Sequence, residues 1–459
     1  MTSAYEFAQQ NRDRFLQQWM DLVSIPSVGT DPARAADTRR AADWIAEDMR
    51  RIGLENIEIL PTGGNPAVYA DWLNAGPNAP TVLIYAHYDV QPAELSDGWD
   101  SEPFTPTLRD GKLYGRGVAD DKSNIILTLK AAEALFASDE GCPVNLKFLF
   151  EGEEESGSPN LPEFVRSHRD RLSADMAIIA DGGLDKADEP IIIYAMRGIM
   201  AFEVRITGPR TDLHSGVHGG SVHNPAQVIA EIVAQLHDAN GRVTVPGFYD
   251  DVEIISAEES AQLRKHDVTP EEWDHGVGAP QAWGEPEYAI VERTGARPTL
   301  EINGISGGYA GDGFKTVIPS QAKAKISCRL VANQKPDKIY DLVTDYIRKI
   351  TPPTVTVEFE KFGDGYPVRV PLDSNIVQAL SRAFKLHWPD AEVVYKRSGG
   401  SVPIIAVFQE ELKLPCVPLG FALSDSGIHG PNEHYHLDLF YKGVDTTIRF
   451  LQEIAAGAK

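Results

Sequence analysis

Short runs of apolar residues alternate with segments of helical periodicity in the first part of the chain. Short apolar runs predict buried strands, and apolar residues that recur every three or four positions predict amphipathic helices. The predicted strands are Thr81–Ala86, Val144–Phe150 and Asp175–Ala180, and the predicted helices are Tyr5–Val23, Thr38–Ile52, Asn124–Ala137 and Leu161–Arg171. Regular alternation of strands and helices indicates an α/β sheet.

The pattern changes near Gly198, where residues begin to alternate between apolar and polar. Such alternation is typical of a sheet with one face in water. The alternating stretches are Ile199–Thr207 and Ala322–Leu330, accompanied by helix-like Ala226–Asp238 and Asp337–Ile350 and by a strand, Thr354–Glu360. We therefore predict two domains: residues 1–197 and 368–459 form the first, and residues 198–367 form an inserted α+β domain.

The composition is that of a globular protein, since 42% of the 459 residues are hydrophobic and 24% are charged. The formal net charge is −24, so we expect neither nucleic acid nor membrane as a partner, because both are bound through basic surfaces. The segment from Met1 to Val28 lacks the apolar core of a signal peptide. Three widely separated cysteines favour a reducing compartment. We expect a cytoplasmic protein.

Residues that can bind metal follow each of the three predicted strands. His87 follows the first, the four acids of Glu151–Glu155 follow the second, and Asp181 follows the third. Ligands of α/β sheets bind beyond the carboxyl ends of the strands. Closely packed carboxylates repel one another unless water or cations neutralise them. The acidic run therefore predicts either a solvated loop or a cation site.

Two further ligand candidates are Asp120, just ahead of a predicted helix, and His429, late in the chain. The complete set is His87, Asp120, Glu154, Glu155, Asp181 and His429. Imidazoles and carboxylates without a thiolate suit Zn²⁺, Mn²⁺ or Co²⁺ rather than a structural zinc site. So many ligands exceed the needs of one ion, whereas two ions bridged by a carboxylate require them. Asp89 is placed to orient the imidazole of His87.

Seven segments, in order along the chain, carry a resemblance to a known family. They are Ala86–Pro92, Gly98–Phe104, Gly115–Lys122, Glu151–Ser158, Asp212–Gly216, Lys315–Pro319 and Ser398–Ser401. They resemble the M20 metallopeptidases, and most closely the branch of cytosolic non-specific dipeptidases and carnosinases. The resemblance implies a zinc-peptidase-like α/β catalytic domain, with the inserted α+β domain serving as lid and dimerisation domain.

The resemblance also implies roles for the candidate residues at the metal centre. One metal ion is held by His87 and Asp181, the other by Glu155 and His429, and Asp120, joined to Asp121 by a cis peptide bond, bridges them. Asp89 orients His87, and Glu154 is the general base and then the proton donor. The implied cofactors are two divalent ions per subunit, zinc in the first place and manganese or cobalt as alternatives.

Further residues are implied in substrate binding. His214 of the inserted domain reaches the active site of the partner subunit in a homodimer and stabilises the oxyanion. Arg329, Thr316 and Ser401 bind the C-terminal carboxylate of the substrate. These roles predict a metallopeptidase that hydrolyses dipeptides or short peptides with a free C-terminal carboxylate.

Two questions stay open at this point. Either Glu153 or Glu154 could be the base, and we choose Glu154 because it directly precedes the expected ligand Glu155. The alternative functions are an N-acyl-amino-acid deacylase or desuccinylase of the same family and, in another class, a non-catalytic metal-dependent binding protein. The intact set of ligands together with Glu154 argues against the binding protein.

Overall fold

In the computed structural model, which describes residues 2–400 and 403–457, the chain divides into two units. The first comprises Met1–Tyr194, Val370–Tyr395 and Pro403–Lys459, and the second comprises Ala195–Arg369 and Lys396–Val402. The two main boundaries of these units follow Tyr194 and Arg369, and the predicted ones follow residues 197 and 367. The segment from Lys396, which we assigned to the first domain, groups with the second unit. The reason is that Arg397 forms an ion pair of 2.5 Å with Glu259.

A six-stranded sheet forms the centre of the first unit. In order across the sheet, its strands are Glu55–Leu60, Ala67–Trp72, Asn145–Glu151, Thr81–His87, Met176–Ile179 and Cys416–Pro418. The last four run parallel, and the first two pair antiparallel. The register places His87 opposite Glu151. Residues that follow the parallel strands therefore emerge at one edge of the sheet.

The helices that share one hydrophobic core with the sheet of the first unit are Ala4–Gln10, Arg12–Val23, Ala35–Ile52, Lys122–Ala137, Asn375–Phe384 and Leu437–Gly457. The first unit also contains the helices Leu161–Ser167, Arg169–Leu172 and Pro403–Val407. Short turns of other helix types are Pro32–Arg34, Leu95–Asp97, Glu154–Ser156 and Phe408–Leu412. The predicted helix Tyr5–Val23 is interrupted at Asn11, whose side chain donates a hydrogen bond to the Phe7 carbonyl (2.8 Å). Asparagine competes with the helix backbone in this way.

Short strands complete the first unit. Thr107–Arg109, Lys112–Tyr114 and His434–His436 form one antiparallel sheet, and Gly183–Leu184 pairs parallel with Ala422–Leu423. The segment between Leu423 and His434, which contains His429, is a loop anchored by strands at both ends. The chain passes between the two units within the strands Ile191–Met196, Val368–Arg369 and Val394–Ser398.

The second unit is built on a four-stranded antiparallel sheet with its own hydrophobic core. In order, its strands are Thr299–Gly307, Gln321–Leu330, Gly198–Thr207 and Thr356–Gly365, and a separate pair is formed by Leu213–His214 and Val317–Ile318. Its helices are Ser215–His218, Pro225–Ala234, Ala257–Arg264, Pro270–Gly276, Ile290–Gly295 and Pro336–Ile350. The predicted fold class, an α/β domain with an inserted α+β domain, is confirmed. None of the described helices is long and apolar enough to span a bilayer.

Candidate metal centre and active site

The structure brings all five predicted metal ligands together in the first unit. They form two groups, His87 with Asp120 and Asp181, and Asp120 with Glu155 and His429. In each group, one ligand atom of every residue lies within 4.8 Å of the others. Asp120 belongs to both groups, which is the position that a bridging ligand requires.

The two oxygens of Asp120 face different histidines. Oδ1 lies 3.0 Å from His87 Nε2, and Oδ2 lies 3.1 Å from His429 Nε2. Burial opposes ionisation of Asp120, but the hydrogen bonds from His429 and His87 hold its pKa below the usual range. The peptide bond between Asp120 and Asp121 is cis. The buried Asp121 carboxylate accepts a hydrogen bond from the His87 backbone N–H (3.1 Å).

His87 is fully buried at the end of its strand. Its Nδ1 lies 3.1 Å from the Asp89 carbonyl oxygen and 3.4 Å from Asp89 Oδ1. A proton on Nδ1 therefore has an acceptor, and the Nε2 atom faces Asp120. Burial disfavours a charged His87, yet the carboxylates of Asp120 and Asp89 raise its pKa well above the ordinary value. The pocket thus favours positive charge.

Asp89 also connects this strand to the acidic segment. Its carboxylate oxygens accept hydrogen bonds from the backbone N–H groups of Glu154 (3.2 Å) and Glu155 (3.1 Å). A side chain at Gly29 would place its Cβ 2.5 Å from Asp89 Oδ2, so only glycine leaves room for this carboxylate. Asp89 is therefore held in place to orient both His87 and the Glu154–Ser156 turn.

The three consecutive acids differ in their surroundings. Glu153 accepts hydrogen bonds from Asn160 Nδ2 (3.0 and 3.1 Å) and Thr62 Oγ1 (3.2 Å) and lies outside both ligand groups. Glu155 Oε2 lies 3.2 Å from His429 Nε2. Burial raises the pKa of Glu154 to about 7, and nearby carboxylates add to this rise, although His87 opposes it. Glu154 is thus the acid suited to accept and release a proton near neutral pH.

His429 approaches the group from a loop with unusual backbone geometry. Its φ angle of 62° is in the left-handed region, which costs a non-glycine residue about 1–3 kcal/mol and is enriched at functional sites. Its side chain is 55% exposed, whereas that of Glu155 is 3% exposed. The ligand group is therefore open to solvent on the side of His429.

Sequence reasoning missed two residues that support the ligands. Gln91 donates a hydrogen bond to Glu155 Oε2 (2.7 Å). Glu433 is fully buried and accepts hydrogen bonds from the backbone N–H groups of Ala119 (2.8 Å) and Asp120 (3.1 Å). It also accepts one from Arg116 Nη1 (2.6 Å). Gln91 lies inside the segment Ala86–Pro92, whereas Glu433 lies four positions after His429 and outside the seven segments. Nothing in the local sequence pattern marks either residue.

The remaining predicted residues lie in the second unit, apart from Ser401, which is outside the described residues. His214 and Thr316 come together there, because the strand pair joins His214 to Val317 and Ser215 N–H donates to the Thr316 carbonyl (3.1 Å). Arg329 lines a cavity of about 310 Å³ with Arg197 and Glu301. Burial lowers the pKa of Arg197 to about 10, and the positive charge of Arg329 contributes.

Known proteins share this architecture over nearly the whole chain. The Cys-Gly metallodipeptidase dug1 of Schizosaccharomyces pombe is 32% identical over 472 aligned residues, covering 98% of both chains. The Beta-Ala-His dipeptidase of Homo sapiens is 30% identical, covering 99% of this chain and 93% of the human one. The structure of the M20 family metallo-carboxypeptidase Sso-CP2 from Sulfolobus solfataricus matches with a TM-score of 0.81 at 32% identity, covering 96% and 99% of the two chains.

A family profile gives the same result. The profile described as Peptidase family M20/M25/M40 matches residues 83–453, a span that contains every predicted metal ligand. The resemblance drawn from the sequence segments is confirmed: the chain is a hydrolase and belongs to the peptidase family M20/M25/M40.

Proposed function

We propose that this protein is a di-metal dipeptidase that hydrolyses the amide bond of dipeptides with a free C-terminal carboxylate. The observation that carries the proposal is the presence of two ligand groups that share Asp120. The dipeptidase names of the two relatives described above support dipeptides as substrates and do not favour N-acyl amino acids.

The residues of the two groups fit a pair of divalent cations. Burial raises the pKa of Asp181 to about 6, with a further contribution from Asp120, and it also raises the pKa of Glu155. Carboxylates forced together in this way are stabilised by a bound cation. We infer that His87 and Asp181 hold one ion, that Glu155 and His429 hold the other, and that Asp120 bridges them. The oxygen and nitrogen donors support zinc, with manganese or cobalt as alternatives.

The proposed mechanism assigns proton transfer to Glu154. When bound, the ions would supply Lewis acidity and lower the pKa of a water molecule toward about 7. Glu154 accepts the proton of the attacking water and returns it to the leaving amine. Asp89 keeps the imidazole of His87 and the backbone of Glu154 in position.

Arg329 is proposed to bind the substrate carboxylate together with Thr316 and Ser401. A guanidinium matches a carboxylate in shape and charge. Hydrogen bonds to charged groups contribute about 1.5–3 kcal/mol, so a dipeptide should exceed its C-terminal amide by roughly 10–100-fold in kcat/KM. The Arg329→Met variant should lose this preference for the dipeptide over its C-terminal amide. Equal rates of the wild-type enzyme on the two substrates would show that Arg329 does not bind the substrate carboxylate.

We further propose that the protein is a homodimer in which His214 of each subunit reaches the active site of the other subunit and stabilises the oxyanion. The second unit exposes large apolar side chains, including Phe314 at 90% and Val217 at 71%, as expected of an association surface. The test is to mix the inactive variants His214→Ala and Asp120→Ala. Hybrid dimers would contain one complete site, so mixing should restore about a quarter of wild-type activity. If the two variants are shown to form hybrid dimers and these dimers are inactive, the active site is not shared between subunits.

A reducing, cytoplasmic location is also proposed. All three cysteines, Cys142, Cys328 and Cys416, are buried and free of disulfides. Burial raises the pKa of the Cys142 thiol to about 12, so this thiol is unreactive at neutral pH. Fractionation of cells that express the tagged protein checks the location, and recovery in a secreted or membrane fraction would contradict it.

Carboxypeptidase activity is the second candidate function. The structural similarity to the metallo-carboxypeptidase, with a TM-score of 0.81, favours it. One assay separates the candidates: metal-stripped protein is reloaded with Zn²⁺, Mn²⁺ or Co²⁺ and given dipeptides, tripeptides, and N-acetyl and N-succinyl amino acids. A dipeptidase cleaves only the dipeptides efficiently, whereas a carboxypeptidase also shortens tripeptides. Failure to cleave any dipeptide under all three metals would refute the proposed function.

A further inference from the structure

Three side chains outside the ligand groups form a separate cluster in the first unit. Asp425, His434 and His436 each place one ligand atom within 4.8 Å of the other two. His434 and His436 are two positions apart on one strand, so their side chains lie on the same face. Their ring centroids are 6.0 Å apart. Asp425 belongs to the same loop as His429, which runs between Leu423 and His434.

One nitrogen of the His436 imidazole lacks a hydrogen-bond partner among the described residues. This atom, Nε2, is buried. A buried polar atom without a partner costs about 1–3 kcal/mol. The His436 Nε2 atom is therefore available as a metal ligand.

His434 is held in the tautomer that a metal ligand requires. Its Nδ1 donates to the Asn432 carbonyl (3.0 Å), so Nε2 carries a lone pair. The ammonium group of Lys112 lies 3.0 Å from this Nε2. Lys112 is opposite His436 on the neighbouring strand. The lysine ammonium thus already places a positive charge at the cluster, and a metal ion would have to displace it.

We propose that Asp425, His434 and His436 form a further divalent metal site, with Lys112 as its internal competitor. Two imidazoles and one carboxylate suit Zn²⁺, Cu²⁺ or Ni²⁺ rather than Mg²⁺ or Ca²⁺. The site lies at the base of the loop that carries His429, where His434 N–H donates to the Ser426 carbonyl (2.8 Å). A metal held by Asp425 and His434 closes this loop and stabilises it.

Metal counting tests the proposal without reference to activity. Wild-type protein, the double variant His434→Ala/His436→Ala and the matched control His168→Ala/His275→Ala are loaded with Zn²⁺, desalted and measured by elemental analysis. His275 is exposed, and neither control histidine belongs to any candidate metal group of the described residues. We expect the double variant to hold one equivalent less than both wild type and control. Equal zinc content in all three proteins would overturn the proposal.

Two single variants sharpen the test. Asp425→Asn changes an exposed turn residue, so the fold is retained, and we expect at least a tenfold loss of affinity for the last zinc equivalent. Lys112→Ala removes the competing ammonium and should raise that affinity at least tenfold. Cu²⁺ added to protein that holds only two equivalents of Zn²⁺ should give an electron paramagnetic resonance spectrum with nitrogen hyperfine structure that His434→Ala/His436→Ala abolishes. Unchanged affinity in both single variants, or an unchanged copper spectrum in the double variant, would refute the site.

Discussion

Replacement of Glu433 by glutamine tests whether a buried carboxylate positions the proposed bridging ligand. Glu433 Oε1 accepts hydrogen bonds from the backbone N–H groups of Ala119 and Asp120, and Oε2 accepts one from Arg116. Burial raises the pKa of Glu433, and the charge of Arg116 and the hydrogen bonds from the backbone N–H groups of Ala119 and Gly117 oppose this rise. Glutamine has nearly the same shape but only one acceptor oxygen.

The expected magnitude follows from these contacts. If the glutamine oxygen accepts from the backbone N–H groups, the glutamine NH₂ group faces the Arg116 guanidinium. Both groups are hydrogen-bond donors, so Arg116 loses its acceptor. Removing one partner of a buried ion pair costs about 3–5 kcal/mol. Arg116 keeps its contact with the Gly430 carbonyl (3.3 Å), so we expect the lower end, about 3 kcal/mol. Because a neutral amide oxygen holds the Asp120 backbone N–H more weakly than a carboxylate does, metal affinity should fall by about 10–100-fold.

Two measurements and one control decide the outcome. Urea unfolding gives the free energy of unfolding, and competition with a chelator gives the metal affinity. In Glu433→Gln/Arg116→Met the unpaired charge is gone, so this double variant should be more stable than Glu433→Gln alone. A Glu433→Gln protein with stability within about 0.5 kcal/mol of wild type and unchanged metal affinity would refute the reasoning.

Three further predictions address catalysis, metal binding and pH. Glu154→Gln should keep its metal but lose at least ~10²-fold in kcat; near-normal turnover at full metal content would contradict the role of base. Asp120→Ala should lose metal from both groups, and full occupancy by elemental analysis would exclude the bridge. Burial opposes ionisation of Glu133, but hydrogen bonds from Arg51 and the charge of Lys130 lower its pKa to about 2 from 4.5. The ionised Glu133 therefore stabilises the fold above pH 4.5, and this stabilisation is lost as the pH falls toward 2. In urea unfolding of metal-stripped protein, Glu133→Gln should therefore be less stable than wild type at pH 7, with a difference that shrinks toward pH 3; a constant difference would contradict this.

Residues at the ends of strands could be predicted from the sequence because the apolar run that forms a strand, and the position where that run ends, are local features. His87 and Asp181 each follow an apolar run, and parallel strands deliver such residues to one edge of a sheet. Asp120 and His429 have no such pattern around them. Their inclusion depended on the chemistry of the ligand set and on the resemblance to the M20 metallopeptidases.

The support for these ligands could not be predicted, because it depends on contacts distant in sequence. Glu433 and Asp120 are 313 positions apart, and a buried acid looks like a surface acid until its partners are known. The edge strand Thr299–Gly307 was also not predicted from the sequence. It contains Gly304 within a register irregularity of the sheet, and glycine weakens the strand pattern.

The segment Glu153-Glu154-Glu155 shows why choosing a segment from the sequence leaves the chemical roles of its residues undetermined. Glu154–Ser156 forms a 3₁₀ turn that starts where the Asp89 carboxylate accepts two backbone N–H groups. In such a turn, successive side chains point about 120° apart because three residues complete one revolution. Glu154 and Glu155 are therefore directed to different environments, Glu155 to His429 and Glu154 to the buried space beside the ligand groups. Glu153 precedes the turn and faces Asn160. The backbone path, rather than residue type, distinguishes the proposed base from the proposed ligand.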